Sequence, residues 1–391
     1  MTLTPSSADA DSGHAHALIM AGGCSLRMRA SFGGRHKAMV EVLGVSMLER
    51  NIMALLAHGF HQIVVAISAQ EKALIALARG RAARVARAGG ATLKVYLERR
   101  PLGTIGAAKA IRAGAEHLLI VNVDNLTALD LTAFLSHHRA TRAAMTIATH
   151  VEPFPIPFGQ VSIQKGGVIE YKEKPILPVL LSSGTYVLSP AARRRIPAGR
   201  PVGAPELVHI LLREKRKVSA FTHSSPWIDV NDAASVERAE ALIMANFCSF
   251  ELQRQPPHRE IVVLGVLKDG RVALAKSSLR GQTALPVEQV HSAAESPSDT
   301  ALRLGNRIRL PVMKPQLVAS FDELDSRTGE RTRCHLFACE LAARPRGTNS
   351  LSQRGVRWLN VNQLSKSHGN SRTVAYLNRY IASQNPHSVR H

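Results

Sequence analysis

Residues 17–29 read ALIMAGGCSLRMR, a short apolar run that breaks into two glycines and ends in a polar, arginine-bearing loop. An uninterrupted apolar run of this length predicts a strand buried on both faces, the kind found inside a parallel sheet. Similar runs recur at 63–67 (IVVAI), 92–97 (TLKVYL), 118–123 (LLIVNV) and 143–149 (AAMTIAT), with helix-like segments between them. That rhythm predicts an α/β fold with a mostly parallel sheet. One helix start is marked by Ser46 and Glu49 as a capping box, followed by Ile52, Leu55 and Leu56 on one face and Gly59 at the end. From about 151 the sequence loosens into strands and turns, until Ala233 to Ala245 reads as a helix closing the first domain.

The expected organisation is a small polar tail over 1–14, a first domain over 15–250, a linker over 251–258 around Pro256-Pro257, and a second domain over 259–391. In the second domain Asp269-Gly270 predicts a hairpin turn, and the rest reads as a small mixed α/β unit. With 391 residues, two domains are the natural expectation. No apolar run approaches the roughly 20 residues that cross a bilayer, so a soluble, cytoplasmic protein is expected. The four cysteines lack CxxC spacing, which argues against a disulfide framework or structural zinc. A formal charge of +21 suits phosphate-rich partners. Nucleic acid is disfavoured, because the basic residues are dispersed and only 4% of residues are aromatic, leaving few base-stacking platforms.

A glycine-rich turn at the carboxyl edge of such a sheet lets backbone N–H groups approach phosphate oxygens. Arg27 and Lys37 add cations to the same loop, matching a triphosphate. Asp124 ends one apolar run and Asp229 follows Trp227-Ile228 in another; carboxylates so placed suit a hard cation shared with phosphate. The competing readings are that Asp124 caps a turn with Asn125 and that Asp229 caps the next helix. Glu173-Lys174, ahead of Pro175, is either an ordered site or a solvated ion pair.

Six segments in order resemble the sugar nucleotidyltransferases: MAGGCSLRMR…HKAMVEVLG, ERRPLGTIGAAKAI, LIVNVDNLTALDL, FGQVSIQKGGVIEYKEKP, SSGTYVLSP and WIDVNDAASVERAEAL. The resemblance covers residues 16 to about 245 and implies a Rossmann-like, glycosyltransferase-A-like fold. It implies that Gly22, Gly23, Arg27 and Lys37 hold a nucleoside triphosphate, and that Glu98, Leu102 and Gly103 line the base and ribose pocket. Asn125, Gly159, Glu173 and Lys174 would meet a sugar 1-phosphate, and Asp124 and Asp229 would bind Mg²⁺. Arg27, Lys37, Asp124 and Asp229 are then the catalytic set. The implied reaction is nucleotidyl transfer with release of pyrophosphate, and the segments PLGTIGAA and NLTALDL lean toward GTP with mannose or heptose 1-phosphate. Family members often form dimers or tetramers, which extends the expectation to a homo-oligomer.

The loop departs from the family pattern. Ser25-Leu26 replaces Gly-Thr, a Pro-Leu-Thr element is missing, and His36 stands where proline precedes the lysine. These changes leave open the alternative of an inactive nucleotide-binding regulatory protein. The second domain resembles a Nudix domain in its hairpin, its ESPSDTALR segment, the CHLFACEL strand and the late GVRWLNVNQL. Glu295 and Arg303 keep the spacing of the Nudix box, but Leu304, Arg307 and Ile308 occupy glutamate positions, and Gln289 and Leu310 glycine positions. A degenerate domain without hydrolase activity is expected.

Overall fold

The structure is a computed structural model and describes residues 16–23, 34–111, 117–252, 257–269, 271–276, 283–291, 295–310, 312, 314–325, 328–341, 356–364 and 371–384. The N-terminal tail, Arg27 and Pro256 lie outside the described residues. The chain divides into two compact units, one holding Met1–Cys24, His58–Ile75 and Lys94–Ile228, the other Ser25–Ala57, Ala76–Leu93 and Asp229–His391.

The first unit is built on seven strands: β1 (His16–Ala21), β2 (Gln62–Ser68), β3 (Thr92–Glu98), β4 (Leu118–Asn122), β5 (Met145–Pro155), β6 (Ile176–Leu188) and β7 (Val218–Thr222). Their order across the sheet is β7-β5-β6-β4-β1-β2-β3. All five apolar runs of the sequence therefore became strands of one sheet. β1 is parallel to β2 on one side and to β4 on the other, so Ile19 lies opposite both Val65 and Val121. Its residues Ala17 to Ala21 are buried, as a strand with neighbours on both edges and both faces requires. β6 runs antiparallel to both β4 and β5, which makes the sheet mixed there. Residues 150–155 of β5 and 176–181 of β6 continue as a two-stranded ribbon, and Gln160–Gln164 with Gly167–Lys172 forms a further hairpin. Leu18, Met20 and Ile120 pack with Leu207 and Leu211 of the helix Ala204–Arg213 in one core cluster.

In the second unit, the helix Met47–Ala57 opens on the predicted capping box. The Glu49 backbone N–H donates to Ser46 Oγ at 3.3 Å, while the Ser46 hydroxyl and N–H reach back to the Glu49 carboxylate. The helix Ala233–Ala245 matches its predicted span and is capped by Asp232, which accepts from the Ser235 N–H at 2.7 Å. The sheet comprises β8 (Arg259–Lys268), β9 (Arg271–Lys276), β10 (Thr283–Ala284), β11 (Val287–Gln289), β12 (Gln316–Leu324), β13 (Arg331–Glu340) and β14 (Val356–Asn360). It runs β10-β9-β8-β13-β12, with β11 paired to β8 and β14 to β9. Val262 and Leu264 of β8 meet Leu304 of the helix Pro297–Arg307 in its core. No helix among the described residues is long and apolar enough to cross a membrane.

Glu251, the last residue of the helix Phe247–Glu251, is a fully buried hub of this unit. Arg50 Nη1 donates to its Oε1 at 2.7 Å, the Tyr376 hydroxyl donates to the same oxygen at 2.8 Å, and Arg372 donates to Oε2. Arg50 also donates to the Val42 carbonyl, and Arg372 to that of Asp322. Arg372 lies 4.6 Å over the Phe321 ring, which stacks on Tyr376. Burial pulls the Arg372 guanidinium down to about 9. Removing the carboxylate would leave two buried guanidinium groups facing each other. Glu251→Ala is therefore expected to cost about 3–5 kcal/mol in urea unfolding; a loss under about 0.5 kcal/mol would remove the hub from the account.

Candidate functional site

The carboxyl edge of the first unit's sheet gathers most of the predicted nucleotide residues. β1 ends at Ala21, and Gly22 follows directly beneath the side chain of Glu98, the last residue of β3. A Cβ on Gly22 would stand 2.4 Å from Glu98 Oε2 and 2.7 Å from its carboxyl carbon. Glycine is therefore required by the carboxylate that covers it. Glu98 is 2% exposed; its Oε2 accepts the Leu102 N–H at 3.3 Å, while Oε1 has no hydrogen-bond partner among the described residues. Burial raises its carboxyl above the usual range, and the Leu102 N–H partly offsets this.

The turn after β3 is held from far along the chain. The Val202 N–H donates to the Leu102 carbonyl at 2.8 Å, and the Ile105 N–H returns to Val202 at 3.1 Å. Gly103 has φ +76°, and a Cβ there would meet the Val202 carbonyl at 2.5 Å. Here glycine answers both a left-handed backbone and a close approach. Gly22, Glu98, Leu102 and Gly103 thus lie together at this edge. Val202 was missed, because nothing local in the chain marks a partner some hundred residues away.

Asp124 follows β4, whose end is tied to β1 by the Val123 N–H donating to the Met20 carbonyl at 3.1 Å. It is half-buried. The Tyr186 phenol is raised chiefly by burial, and the charge of Asp124 adds to the effect. Asn125 is buried, and its Nδ2 donates to the Ser183 carbonyl at 2.5 Å. The Trp227 indole donates to the same carbonyl at 3.0 Å. Gly184, at φ +69°, passes so close that a Cβ would meet Asn125 Nδ2 at 2.2 Å and Asn122 Nδ2 at 2.9 Å. Asn122, Ser183, Gly184 and Tyr186 therefore belong to this neighbourhood; the last three lay within the quoted SSGTYVLSP segment without a role.

Gly159 and Glu173 meet through Tyr171, a residue the sequence reading passed over. A Cβ on Gly159 would overlap the Tyr171 hydroxyl at 2.1 Å, and that hydroxyl donates to Glu173 Oε2 at 3.0 Å. Among the described residues Glu173 and Lys174 make no ion pair with each other; Lys172 pairs with Glu170 instead, at 3.0 Å. Lys174 itself has φ +44°.

Lys37 and Asp229 belong to the second unit. Lys37 begins a short 3₁₀ turn capped by His36, whose Nδ1 accepts the Ala38 N–H at 3.1 Å. His36 has φ −71°, the value a proline would impose, so histidine keeps the backbone of the family pattern and adds a cap. Asp229 accepts from Asn231 Nδ2, and Asp232 is the residue that caps the following helix. The capping alternative for Asp229 is thereby replaced. Gly23 is exposed, and a Cβ there would meet nothing within 4 Å; Arg27 lies outside the described residues. Among the described residues no group of three or more His, Cys, Asp or Glu side chains could hold a metal ion.

The pattern of the nucleotidyl transferase family matches residues 16–246. The mannose-1-phosphate guanylyltransferase catalytic subunit beta of Danio rerio is 24% identical over 277 residues, covering 68% of this chain and 73% of its own length. The mannose-1-phosphate guanyltransferase of Pichia angusta is 26% identical over 222 residues, covering 54% of this chain and 60% of its own. The solved structure of HddC from Yersinia pseudotuberculosis complexed with GMP-PN covers 58% of this chain and 98% of that chain, at 21% identity and a TM-score of 0.45. The family match begins at β1 and runs through the helix Ala233–Ala245, so the chain belongs to the nucleotidyl transferase family.

Proposed function

We propose that the protein transfers the nucleoside monophosphate of GTP to mannose 1-phosphate or a heptose 1-phosphate and releases pyrophosphate. The family match and the names of the two relatives support the reaction class. The choice of GTP rests on one observation, the buried Glu98 carboxylate with an oxygen lacking a partner among the described residues. Guanine presents N1–H and its 2-amino group side by side, two donors that a carboxylate accepts together. Adenine offers no such adjacent pair, and uracil or thymine offers a single N–H.

The sugar phosphate oxygen is already an anion, so no general base is required. Catalysis then rests on holding it in line with the α-phosphorus and on neutralising charge. Gly22 and Gly23 would bring backbone N–H groups to the triphosphate, with Lys37 and Arg27 supplying cations. Gly159, Glu173 and Lys174 would hold the sugar phosphate, with Asn125 beside Asp124. A hard oxygen donor such as Asp124, half-buried at a strand end, fits Mg²⁺, which takes one or two carboxylates and completes its shell with phosphate and water. Asp124 and Asp229 are the proposed ligands, and the ion would neutralise charge on the phosphates.

For residues 259–391 we propose a Nudix-like unit without hydrolase activity. The support is electrostatic: Arg303 pairs with both Glu295 and Glu288, and Arg307 pairs with Glu288 at 3.1 Å. Arg307 thus sets a cation, paired with Glu288, at a position where the hydrolase box carries a glutamate for its metal, and Leu304 and Ile308 leave the other two glutamate positions without a carboxylate.

The direct test is pyrophosphate release by the full-length protein with Mg²⁺, each common nucleoside triphosphate, and a panel of sugar 1-phosphates. Release with GTP and one of the two named sugar phosphates is expected, and its absence across the panel would overturn the proposal. Asp124→Asn should lower turnover at least about 100-fold with an unchanged melting temperature. Glu98→Gln should cost about 10–100-fold in kcat/KM for GTP, the value of a buried hydrogen bond to a charged group. The same variant separates burial from recognition. Because the raised pKa of Glu98 favours its protonated form in the fold, its contribution to stability is present at low pH and is lost as pH rises through the folded value. The melting temperature of Glu98→Gln should therefore gain on wild type as pH rises; a constant difference would mean the carboxylate is not strained by burial.

A further inference from the structure

At the edge of the first unit's sheet opposite Gly22 and Asp124, three loops enclose a cleft of about 480 Å³. His117 enters it just before β4 begins, Arg139 and Arg142 close the helix Leu131–Thr141, and Glu214 to Lys217 lead from the helix Ala204–Arg213 into β7. Backbone bonds knit these loops into a fixed floor. The Ala144 N–H donates to the Lys217 carbonyl at 2.8 Å, and the Ser189 N–H to that of Ala144 at 2.9 Å.

The lining is strongly one-signed. Five of its residues are cations, Arg139, Arg142, Lys215, Arg216 and Lys217, and Glu214 is the single acid among those described. Glu214 is already engaged by Arg195 at 2.7 Å and Arg216 at 3.2 Å. Arg142, Lys215 and Lys217 make no ion pair among the described residues. Gathering like charges around a concave surface raises the local potential, and a multiply charged anion relieves it. Behind them, His138 is fully buried and joins His117 at 3.1 Å and Thr146 Oγ1 at 2.7 Å. Burial pulls His138 down to about 4, so it stands neutral at physiological pH and orients the His117 ring without adding charge.

We propose that this cleft binds a small phosphate-bearing anion of diphosphate or triphosphate size, at a site separate from the nucleotide end of the sheet. Its volume suits one small ligand. Among the described residues no Phe, Tyr or Trp lines it, which favours a phosphate chain over a polynucleotide that would stack successive bases.

The experiment is calorimetric titration of the full-length protein with inorganic tripolyphosphate, with wild type compared against a variant combining Arg142→Ser, Lys215→Ser and Lys217→Ser. All three residues are exposed, so the fold should persist. Wild type should show a class of sites that the triple variant binds at least about tenfold more weakly, while Gly22→Ala, altered only at the other edge, keeps it. GTP titrated alongside identifies the source at the class of sites that the triple variant weakens: equal affinity there means the phosphate chain alone is read, and tighter GTP binding there means a nucleotide is the ligand. Undiminished binding of tripolyphosphate by the triple variant would overturn the proposal. So would failure of wild type to bind it while a single-stranded oligonucleotide binds and is lost in the variant, which would assign the cations to nucleic acid.

Discussion

Parallel pairing of β1 with β2 on one side and β4 on the other is the constraint from which the site follows. It sets the carboxyl ends of these strands along one edge, so Gly22 and Asp124 leave the sheet as neighbours, and Glu98 arrives there at the end of β3. The strand at the centre has to be apolar on both faces, and it is. Placing chemistry at strand ends keeps the polar groups out of the core while the strands hold their positions.

At that edge, glycine and carboxylate are mutually dependent. Glu98 lies over Gly22 because nothing projects from the glycine, and the space so made is enclosed enough to raise the carboxyl's pKa. A carboxylate held this way is costly to the free protein and favours a ligand that brings donors. Gly103 and Gly184 serve related ends: each takes a left-handed backbone where another segment, Val202 or Asn125, comes too close for a side chain. Three glycines thus record three close approaches, each between parts of the chain far apart in sequence.

The second unit is organised around a different solution to buried charge. Glu251 is shared by Arg50, Arg372 and Tyr376, so that the helix Met47–Ala57, the helix Phe247–Glu251 and the helix Ser371–Gln384 meet at one carboxylate. Such a cluster contributes little over a well-packed apolar core, yet it tolerates few other arrangements of its partners. Elsewhere in the same unit, Arg303 and Arg307 close on Glu288 and Glu295, so these acids are neutralised by side chains of the chain itself.

Local pattern was enough for five of the seven strands of the first sheet, the capping box at Ser46 and Glu49, and the span Ala233–Ala245, because each is set by residues within a few positions of one another. The glycine turn at Gly22 was also legible from the strand it ends, whereas Glu98, Leu102 and Gly103 entered only through the resemblance to the nucleotidyltransferases. Contacts between distant segments were not legible: Val202 against Gly103, Tyr171 between Gly159 and Glu173, Asn125 bonded to Ser183, and Glu251 drawn out of an apparent linker into a buried hub. Periodicity and spacing report which face of an element is apolar, and a long-range hydrogen bond leaves no periodic trace. The tertiary structure decided which polar groups meet, because only chain closure brings a donor within about 3 Å of an acceptor a hundred residues away.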